Sequence, residues 1–256
     1  MSSFAANRVS PEPAVEFHLL GQVDFDDCLW LQRRLVYEAG ERGDGRIAVL
    51  ICEHPQIITV GRRGSRGHIR LTNEQLRRRQ LHISWVSRGG GCVLHAPGQL
   101  AIYPIVPLAW RGWNVGQYMQ RFQTAVVAAL QDLNIRGETR EETYGIWGRS
   151  GQLVAFGVSI KNWISCHGAF INVNPAMSTY GFIDATPLDS APLGGKTTMG
   201  CLLADRRHGV TLTKVRAALV ANLASSFGCE RYHLHTGHPI LLKKQQASRE
   251  HVIRAS

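Results

Sequence analysis

The glycine-rich segment Arg88–Gln99 carries the densest set of side chains that could do chemistry. It holds four glycines and one proline, and it directly follows a predicted strand over 83–86. Glycine lets the backbone approach a ligand closely, Arg88 offers a planar fork of donors, and His95 can give or take a proton. A turn alone does not require an arginine, a histidine and a glutamine together. The segment therefore predicts a ligand-binding loop.

A second polar segment, Ser165–Gly168, lies between two predicted strands, 153–160 and 169–173. A cysteine close to a histidine can form a thiolate–imidazole pair. Neighbouring residues of an extended chain point to opposite faces, so Cys166 and His167 are not expected to form one. We interpret the segment as a pocket wall in which hydrogen bonds satisfy the histidine.

Three further patterns resemble known sites without the full residue sets. The triplet Gly195–Thr197 lacks the first glycine of a phosphate-binding loop, because Ser190 holds that position. The basic turn Gly61–Gly67 has no interleaved aromatic residues, which favours a solvated turn or a docking edge over an RNA contact. The histidine-rich segment 233–238 lacks cysteines or carboxylates at metal-ligand spacing. We therefore predict no metal site, no other cofactor and no nucleic-acid partner.

The overall composition is globular. The 256 residues are 44% hydrophobic and 19% charged, which suits one large domain or two small ones. No apolar run approaches the roughly 18 residues of a membrane span, and residues 1–17 contain no apolar signal core. Six cysteines without CxxC pairs indicate free thiols in a reducing cytoplasm. The net charge of +10 favours acidic partners.

Alternating strand and helix patterns must position these segments. Residue spacing predicts helices over 28–38, 73–80, 114–133 and 211–227, and apolar runs predict strands over 17–20, 47–51, 57–60, 83–86, 100–106, 153–160 and 169–173. Because the helices fall between groups of strands, we predict an α/β (α+β) fold, a mixed sheet with packing helices. A long loop is predicted over 174–200. The predicted organisation is a flexible N-terminal arm (1–15), one domain (16–232) and a basic C-terminal tail (233–256).

The glycine-rich segment continues as RGGGCVLHAPGQLAIYP over 88–104. It resembles the signature RGG-x-x-TYHGPGQL-x-x-YP of the LipB-type octanoyltransferases (lipoyl(octanoyl) transferases) of lipoate assembly. Four more segments resemble family motifs in the same order: Glu53–Pro55, Thr59–Arg63, Gly145–Trp147 and His167–Asn174. The likeness spans roughly residues 17–230. It implies the fold of the lipoate and biotin protein ligases, with one deep acyl pocket.

The resemblance also implies an activity and its partners. An octanoyl or lipoyl group would pass from acyl carrier protein to a lysine of lipoyl domains, in 2-oxoacid dehydrogenases and in the glycine cleavage H protein. These partners are typically acidic, in keeping with the positive net charge. The matched segments place the acyl and thioester site on Arg88, Gly89, Gly90, Gly91, Cys92, Val93, Leu94, His95, Ala155, Phe156, Gly157, Gly168, Ala169 and Phe170.

The family's catalytic pair is replaced in this chain. The resemblance implies a cysteine that carries the acyl group as a thioester and a lysine that keeps the thiol ionised. Gln152 stands at the lysine position and Thr186 at the cysteine position. A neutral amide cannot lower the pKa of a thiol by charge, and a threonine hydroxyl needs a strong base to attack.

Three interpretations follow from this replacement. A transferase could use a relocated thiol, with Cys92, Cys166 and Cys201 as candidates. Alternatively, the acceptor lysine could attack the bound thioester directly, with the pocket supplying proximity and an oxyanion site. A third possibility is an inactive homologue that binds acyl carrier or lipoyl domains. An adenylating ligase is disfavoured, because such ligases also depend on a lysine at the position of Gln152.

Overall fold

The computed structural model describes residues 14–140, 143–185, 198–206 and 208–244. The strands of this part are β1 (Ala14–Gln22), β2 (Ile47–Glu53), β3 (Ile57–Val60), β4 (His82–Trp85), β5 (Cys92–His95), β6 (Gln99–Ile105), β7 (Glu138–Arg140), β8 (Thr143–Gly148), β9 (Gly151–Lys161), β10 (Ile164–Asn172) and β11 (Arg231–Thr236). The helices are α1 (Phe25–Arg42), α2 (Asn73–Arg78), α3 (Leu108–Arg111), α4 (Val115–Asp132), α5 (Leu202–Asp205) and α6 (Leu212–Ser226), with 3-10 helices at Arg66–His68 and Met177–Phe182.

The strands of the described residues form two sheets. The larger has eight strands in the order β11-β1-β2-β6-β10-β9-β8-β7, and the smaller has the order β4-β3-β5. In the larger sheet β1 runs parallel to β2 and β11, and the remaining pairs are antiparallel. In the smaller, β3 is parallel to β4 and antiparallel to β5. The predicted mixed sheet with packing helices is confirmed.

Both faces of the larger sheet are covered, so its central strands are apolar on both sides. All nine residues of β10 are buried. Ala169 and Ile171 belong to a core cluster that includes residues of α4 and α6. Cys166 and Phe170 belong to a second cluster with residues of α1. This alternation follows from the two-residue period of a strand.

Local sequence signals fix the ends of the long helices. The Asp24 carboxylate accepts hydrogen bonds from the Asp26 and Asp27 amides at the start of α1, which ends at Gly43 with a left-handed φ of 58°. Helix α4 begins with a reciprocal capping pair between Asn114 and Gln117. These caps fix the residues at which the two helices begin.

Several segments differ from the sequence-based expectations. Ser165–Gly168 lies inside β10 rather than between strands, and residues 92–95 of the glycine-rich segment form β5. Strand β11 includes residues 233–236, which we assigned to the tail, and β1 begins at Ala14 in the expected arm. All six residues of β11 are exposed, and its apolar alternation is limited to Tyr232 and Leu234, which is a weak signal for an edge strand. Thr186 and the ranges 1–13 and 245–256 lie outside the described residues.

No helix of the described residues is long and apolar enough to cross a membrane.

Gly168 is required by the contact between β10 and β6. A Cβ at this position would lie 1.9 Å from the Ile102 carbonyl oxygen. We expect Gly168→Ala to lower the free energy of unfolding by about 3 kcal/mol or more, because the two strands must separate. Urea unfolding measures the change. Gly181→Ala is the matched control, since no atom lies within 4 Å of its added Cβ. Equal stability of both variants would contradict the prediction.

Candidate active site

A cavity of about 330 Å³ opens beside the glycine-rich loop. This volume is at the lower end of the roughly 300–1,000 Å³ typical of small-molecule pockets. Its walls come from the loop and β5, from β9 and β10, from the start of α4 and from the region around Met177–Phe182. Of the residues that the resemblance assigned to the site, the cavity is lined by Arg88, Gly89, Gly90, Gly91, Cys92, Val93, Leu94, Ala155, Phe156, Gly157 and Phe170.

The structure adds lining residues that the sequence analysis did not name as site residues. They are Arg62, Arg63, Gln99, Val115, Met119, Val158, Asn172, Tyr180, Ile183, Ala185 and Met199. Gln99 and Asn172 fall within the matched motifs, so the sequence offered a signal for them. The residues of α4 carried none, because only the packing of the helix brings its first turns to the cavity.

Arg88 holds the glycine-rich loop in shape. Its side chain is buried, and its guanidinium donates to the carbonyl oxygens of Gly89 at 2.9 Å and Gly91 at 3.1 Å. The other terminal nitrogen donates to the Thr59 carbonyl at 2.9 Å and to the Thr59 hydroxyl at 2.8 Å. All four acceptors are neutral. Burial lowers the pKa of Arg88 to about 10, so the cation persists at neutral pH.

Glycine is needed where the loop meets its neighbours. A Cβ on Gly61 would lie 2.5 Å from the Gly90 carbonyl oxygen, and one on Gly157 would lie 2.9 Å from the Gly89 carbonyl oxygen. The loop is thus held between the end of β3 and the middle of β9 by backbone contacts that admit no side chain.

A buried polar chain continues from Thr59. Its hydroxyl lies 2.9 Å from His95 Nε2, and His95 Nδ1 lies 2.9 Å from the Gln99 side-chain oxygen. The Gln99 amide nitrogen lies within 3.0 Å of the Asn172 side-chain oxygen and the Tyr180 hydroxyl. The Tyr180 hydroxyl in turn donates to that Asn172 oxygen at 2.6 Å. This hydrogen-bond network ties β3, β5, β6 and β10 together, and its Gln99, Asn172 and Tyr180 end lines the cavity.

These hydrogen bonds determine which nitrogen of His95 carries the proton. The Gln99 oxygen can only accept, so Nδ1 carries the proton, and Nε2 accepts from the Thr59 hydroxyl. Burial lowers the pKa of His95 well below its ordinary value, with a smaller contribution from His54 and Arg88. His95 is therefore neutral, and both of its nitrogens are engaged. It does not line the cavity, although the resemblance assigned it to the acyl site.

Gly168 and Ala169 also lie away from the cavity, although the resemblance assigned them to its wall. Gly168 lies against β6, and Ala169 belongs to the core beside α4 and α6. Their neighbour Phe170 does line the cavity, and the Arg88 guanidinium stacks over its ring at 5.6 Å.

The three candidate thiols differ in position. Cys92 lines the cavity, with its sulfur 3.8 Å from the Ser65 carbonyl oxygen. Burial raises the pKa of the Cys92 thiol, and the smaller opposing effect of Arg88 does not reverse this. The Cys166 sulfur donates to the Gln32 side-chain oxygen at 3.5 Å, and burial raises its pKa to about 11. Cys201 is buried at the start of α5, and neither Cys166 nor Cys201 lines the cavity.

Gln152, at the position where the resemblance implies a lysine, does line the cavity. Its side-chain amide donates to the Val154 carbonyl oxygen at 3.3 Å, and its backbone pairs with residues 198–200. It brings a neutral hydrogen-bonding group to the cavity. The described residues thus include no Lys–Cys pair at this position.

The backbone N–H groups of Gly90 and Gly91 donate no hydrogen bond within the described residues. The carbonyl oxygens of Gly90 and Gly91 accept from the amides of Arg63 and Gly61, at 3.1 Å each. In contrast, the N–H groups of Gly90 and Gly91 have no acceptor among the described residues. Adjacent free amides beside a buried cation can stabilise negative charge that develops on a carbonyl oxygen.

Comparison with known proteins places this geometry in context. The sequence profile of the lipoyl protein ligase A/B catalytic domain matches residues 24–223. A curated octanoyltransferase of Roseiflexus sp. is 30% identical over 220 residues, which cover 82% of this chain and 86% of that protein. Another, from Caldicellulosiruptor bescii, is 32% identical over 166 residues, covering 64% and 72%. The solved bi-partite lipoate protein ligase of Thermoplasma acidophilum shares the fold, with a TM-score of 0.66 at 14% identity over 93% and 91% of the chains.

His167 makes the stability dependent on pH. Burial, followed by Arg88 and Arg33, lowers its pKa to about 4. The expectation that hydrogen bonds satisfy this histidine is wrong for Nδ1, which has no partner among the described residues. The unfolded histidine, with a pKa of about 6.5, binds a proton first, so this contribution to stability is complete above pH 6.5 and is lost towards pH 4. His167→Asn, which tolerates the positive φ of 58°, should flatten the slope of unfolding free energy by up to about 1.4 kcal/mol per pH unit in this window. Urea unfolding at several pH values measures it, and equal slopes would refute it.

Proposed function

Since the chain belongs to the lipoyl protein ligase A/B catalytic-domain family, we propose that it transfers an octanoyl group from acyl carrier protein to a lysine of a lipoyl domain in lipoate assembly. The match to curated octanoyltransferases, which for the Roseiflexus protein covers 82% of the chain, carries this proposal. The cavity beside the glycine-rich loop supports it, because a medium-length acyl chain needs an apolar pocket that ends at polar groups.

The acyl chain lies in the apolar part of the cavity. Phe156 and Val158 of β9, Phe170 of β10 and Met119 of α4 supply apolar surface there. At the loop, the amides of Gly90 and Gly91 receive the thioester carbonyl oxygen, and the Arg88 cation behind them adds a favourable potential. The acyl group is thereby held with its thioester carbon at the glycine-rich loop.

Direct attack by the acceptor lysine suits this site better than a relocated nucleophile. The Cys92 thiol is the candidate that reaches the cavity, but burial keeps it protonated. The neutral His95 lies outside the cavity and cannot remove its proton. A protonated, buried thiol is a poor nucleophile.

In direct transfer, every bond and proton is accounted for by the two substrates. The neutral amine of the lipoyl-domain lysine attacks the thioester carbon, and the carbonyl oxygen gains negative charge next to the loop amides. The carbon–sulfur bond breaks, and the amine proton passes to the departing sulfur of the carrier. The products are an octanoyl amide and a free carrier thiol. The enzyme contributes position and electrostatic stabilisation.

Charge at the cavity suits both protein partners. Arg62 and Arg63 are exposed and line the cavity, and the chain carries a net charge of +10. Acidic carrier and lipoyl domains would approach this face under electrostatic attraction.

All six cysteines are free thiols, which fits the expected reducing cytoplasm.

Intact-protein mass spectrometry with octanoyl-acyl carrier protein and an apo lipoyl domain tests the transfer. We expect the lipoyl domain to gain one octanoyl group while this protein gains none, because no thiolate forms at the cavity. Cys92→Ser should transfer at a rate within about threefold of the parent chain, since the hydroxyl keeps the packing. Cys166→Ser and Cys201→Ser serve as controls for loss of a buried thiol away from the cavity.

Two other results would overturn parts of this proposal. A hydroxylamine-sensitive octanoyl adduct on the protein, lost in Cys92→Ser, would replace direct transfer by a relocated thiol. No modification of the lipoyl domain by folded protein would reject the transferase and leave an inactive homologue that binds acyl carrier or lipoyl domains.

Filling the cavity at Ala155 should shorten the acyl chain that the enzyme accepts. Ala155 is half-buried and lines the cavity, so a phenyl ring there takes space from the acyl group. We expect Ala155→Phe to lower kcat/KM for octanoyl carrier protein at least about tenfold and to affect butyryl carrier protein less. Ala109→Phe, on the exposed face of α3, is the control. Equal losses for both acyl lengths would place the acyl chain elsewhere.

A further inference from the structure

A cluster of two thiols and one imidazole lies outside the acyl cavity. Cys28 on α1, Cys52 on β2 and His54 just after β2 bring their ligand atoms within 4.8 Å of one another, and all three residues are buried. The two sulfurs are 3.9 Å apart, and the Cys52 sulfur is 3.5 Å from His54 Nε2. None of the three lines the acyl cavity.

We propose that Cys28, Cys52 and His54 bind one zinc ion. Tetrahedral zinc, with bonds of about 2.3 Å to sulfur and about 2.0–2.1 Å to nitrogen, needs edges near 3.8 Å between two sulfurs and near 3.6 Å between sulfur and nitrogen. The sulfur–sulfur separation of 3.9 Å and the separation of 3.5 Å between the Cys52 sulfur and His54 Nε2 match these edges, and the third pair, the Cys28 sulfur and the His54 ring nitrogen, lies within 4.8 Å. Cysteine sulfur and histidine nitrogen are also the ligand atoms that zinc prefers.

The groups around the cluster hold two of these ligands in a binding orientation. His54 Nδ1 lies 2.8 Å from the Val23 carbonyl oxygen, which can only accept, so Nδ1 carries the proton and Nε2 keeps its lone pair. The Nε2 atom lies 3.5 Å from the Cys52 sulfur and accepts from the Tyr103 hydroxyl at 2.8 Å, a hydrogen bond that a bound zinc ion would replace. The Gln32 side-chain oxygen accepts from the Cys166 sulfur and the His167 amide, which directs its Nε2 to the Cys28 sulfur at 3.9 Å. That N–H can donate to a thiolate. Such outer contacts are typical of metal sites.

Charge balance permits a metal ion in this buried place. Zinc would displace one proton from each thiol, and two thiolates with one neutral imidazole give an uncharged complex with the divalent ion. No metal site was predicted from the sequence, in which the cysteines form no CxxC pair and the histidine-rich segment 233–238 lacks ligand spacing. Only the packing of α1 on β2 brings them together.

The test uses the purified full chain without substrates, so its result is independent of the proposed transferase activity. Protein expressed with zinc and purified without chelators should hold about one zinc ion per chain by elemental mass spectrometry. Cobalt, loaded in its place, should give the near-ultraviolet absorption of thiolate-to-cobalt charge transfer, which reports sulfur ligands in the unaltered protein.

Substitutions locate the metal. Cys28→Ser, Cys52→Ser and His54→Gln should each lower the zinc content about tenfold or more. Cys229→Ser is the matched control, because it removes a buried thiol whose sulfur contacts the Phe227 carbonyl oxygen instead. Should the serine variants not fold, the cobalt spectrum of the parent chain decides alone. The proposal fails if the parent chain binds no stoichiometric metal, if the cobalt band is absent, if the variants keep their zinc, or if Cys28 and Cys52 are found as a disulfide.

Discussion

The buried guanidinium of Arg88 is the interaction on which the site depends. A cation without a carboxylate is costly to bury, and here the cost is offset by four hydrogen bonds to neutral oxygens of the loop and of Thr59. The carbonyl oxygens of Gly89 and Gly91 both accept hydrogen bonds from this guanidinium. The loop therefore turns its bonded carbonyls to the arginine and keeps two amides unbonded. Lysine could not replace this arginine, because one ammonium cannot span both sets of acceptors.

Burial also decides which chemistry the cavity can support. It keeps His95 neutral and Cys92 protonated, and Gln152 adds no charge where relatives of this family are expected to have a lysine. A site of this kind is poor at generating its own nucleophile. It is well suited to holding a thioester whose carbonyl oxygen needs stabilisation while the nucleophile comes from the partner protein. A neutral Gln152 and a protonated Cys92 thiol are thus consistent with one another.

The sequence predicted the parts of the fold that depend on local patterns. Buried strands such as Ile57–Val60 and the capped helix α4 follow from apolar spacing and end signals. Strand β11 was not predicted, because its alternation is limited to Tyr232 and Leu234 and its conformation depends on pairing with β1 at an exposed edge. The position of His95 also needed the structure. Motif matching placed it at the ligand, whereas its hydrogen bonds to Thr59 and Gln99 place it behind the wall.

The same histidine links the cavity to the thiol cluster. His95 packs edge-on against the ring of His54 at 5.5 Å between centroids, and it stacks on Phe25 at 5.5 Å. On its other side it packs against Phe170, which lines the cavity. These ring contacts join the thiol cluster, the buried hydrogen bonds of His95 and the cavity wall in one close-packed unit. A change of volume at any of these rings must therefore be absorbed by the others.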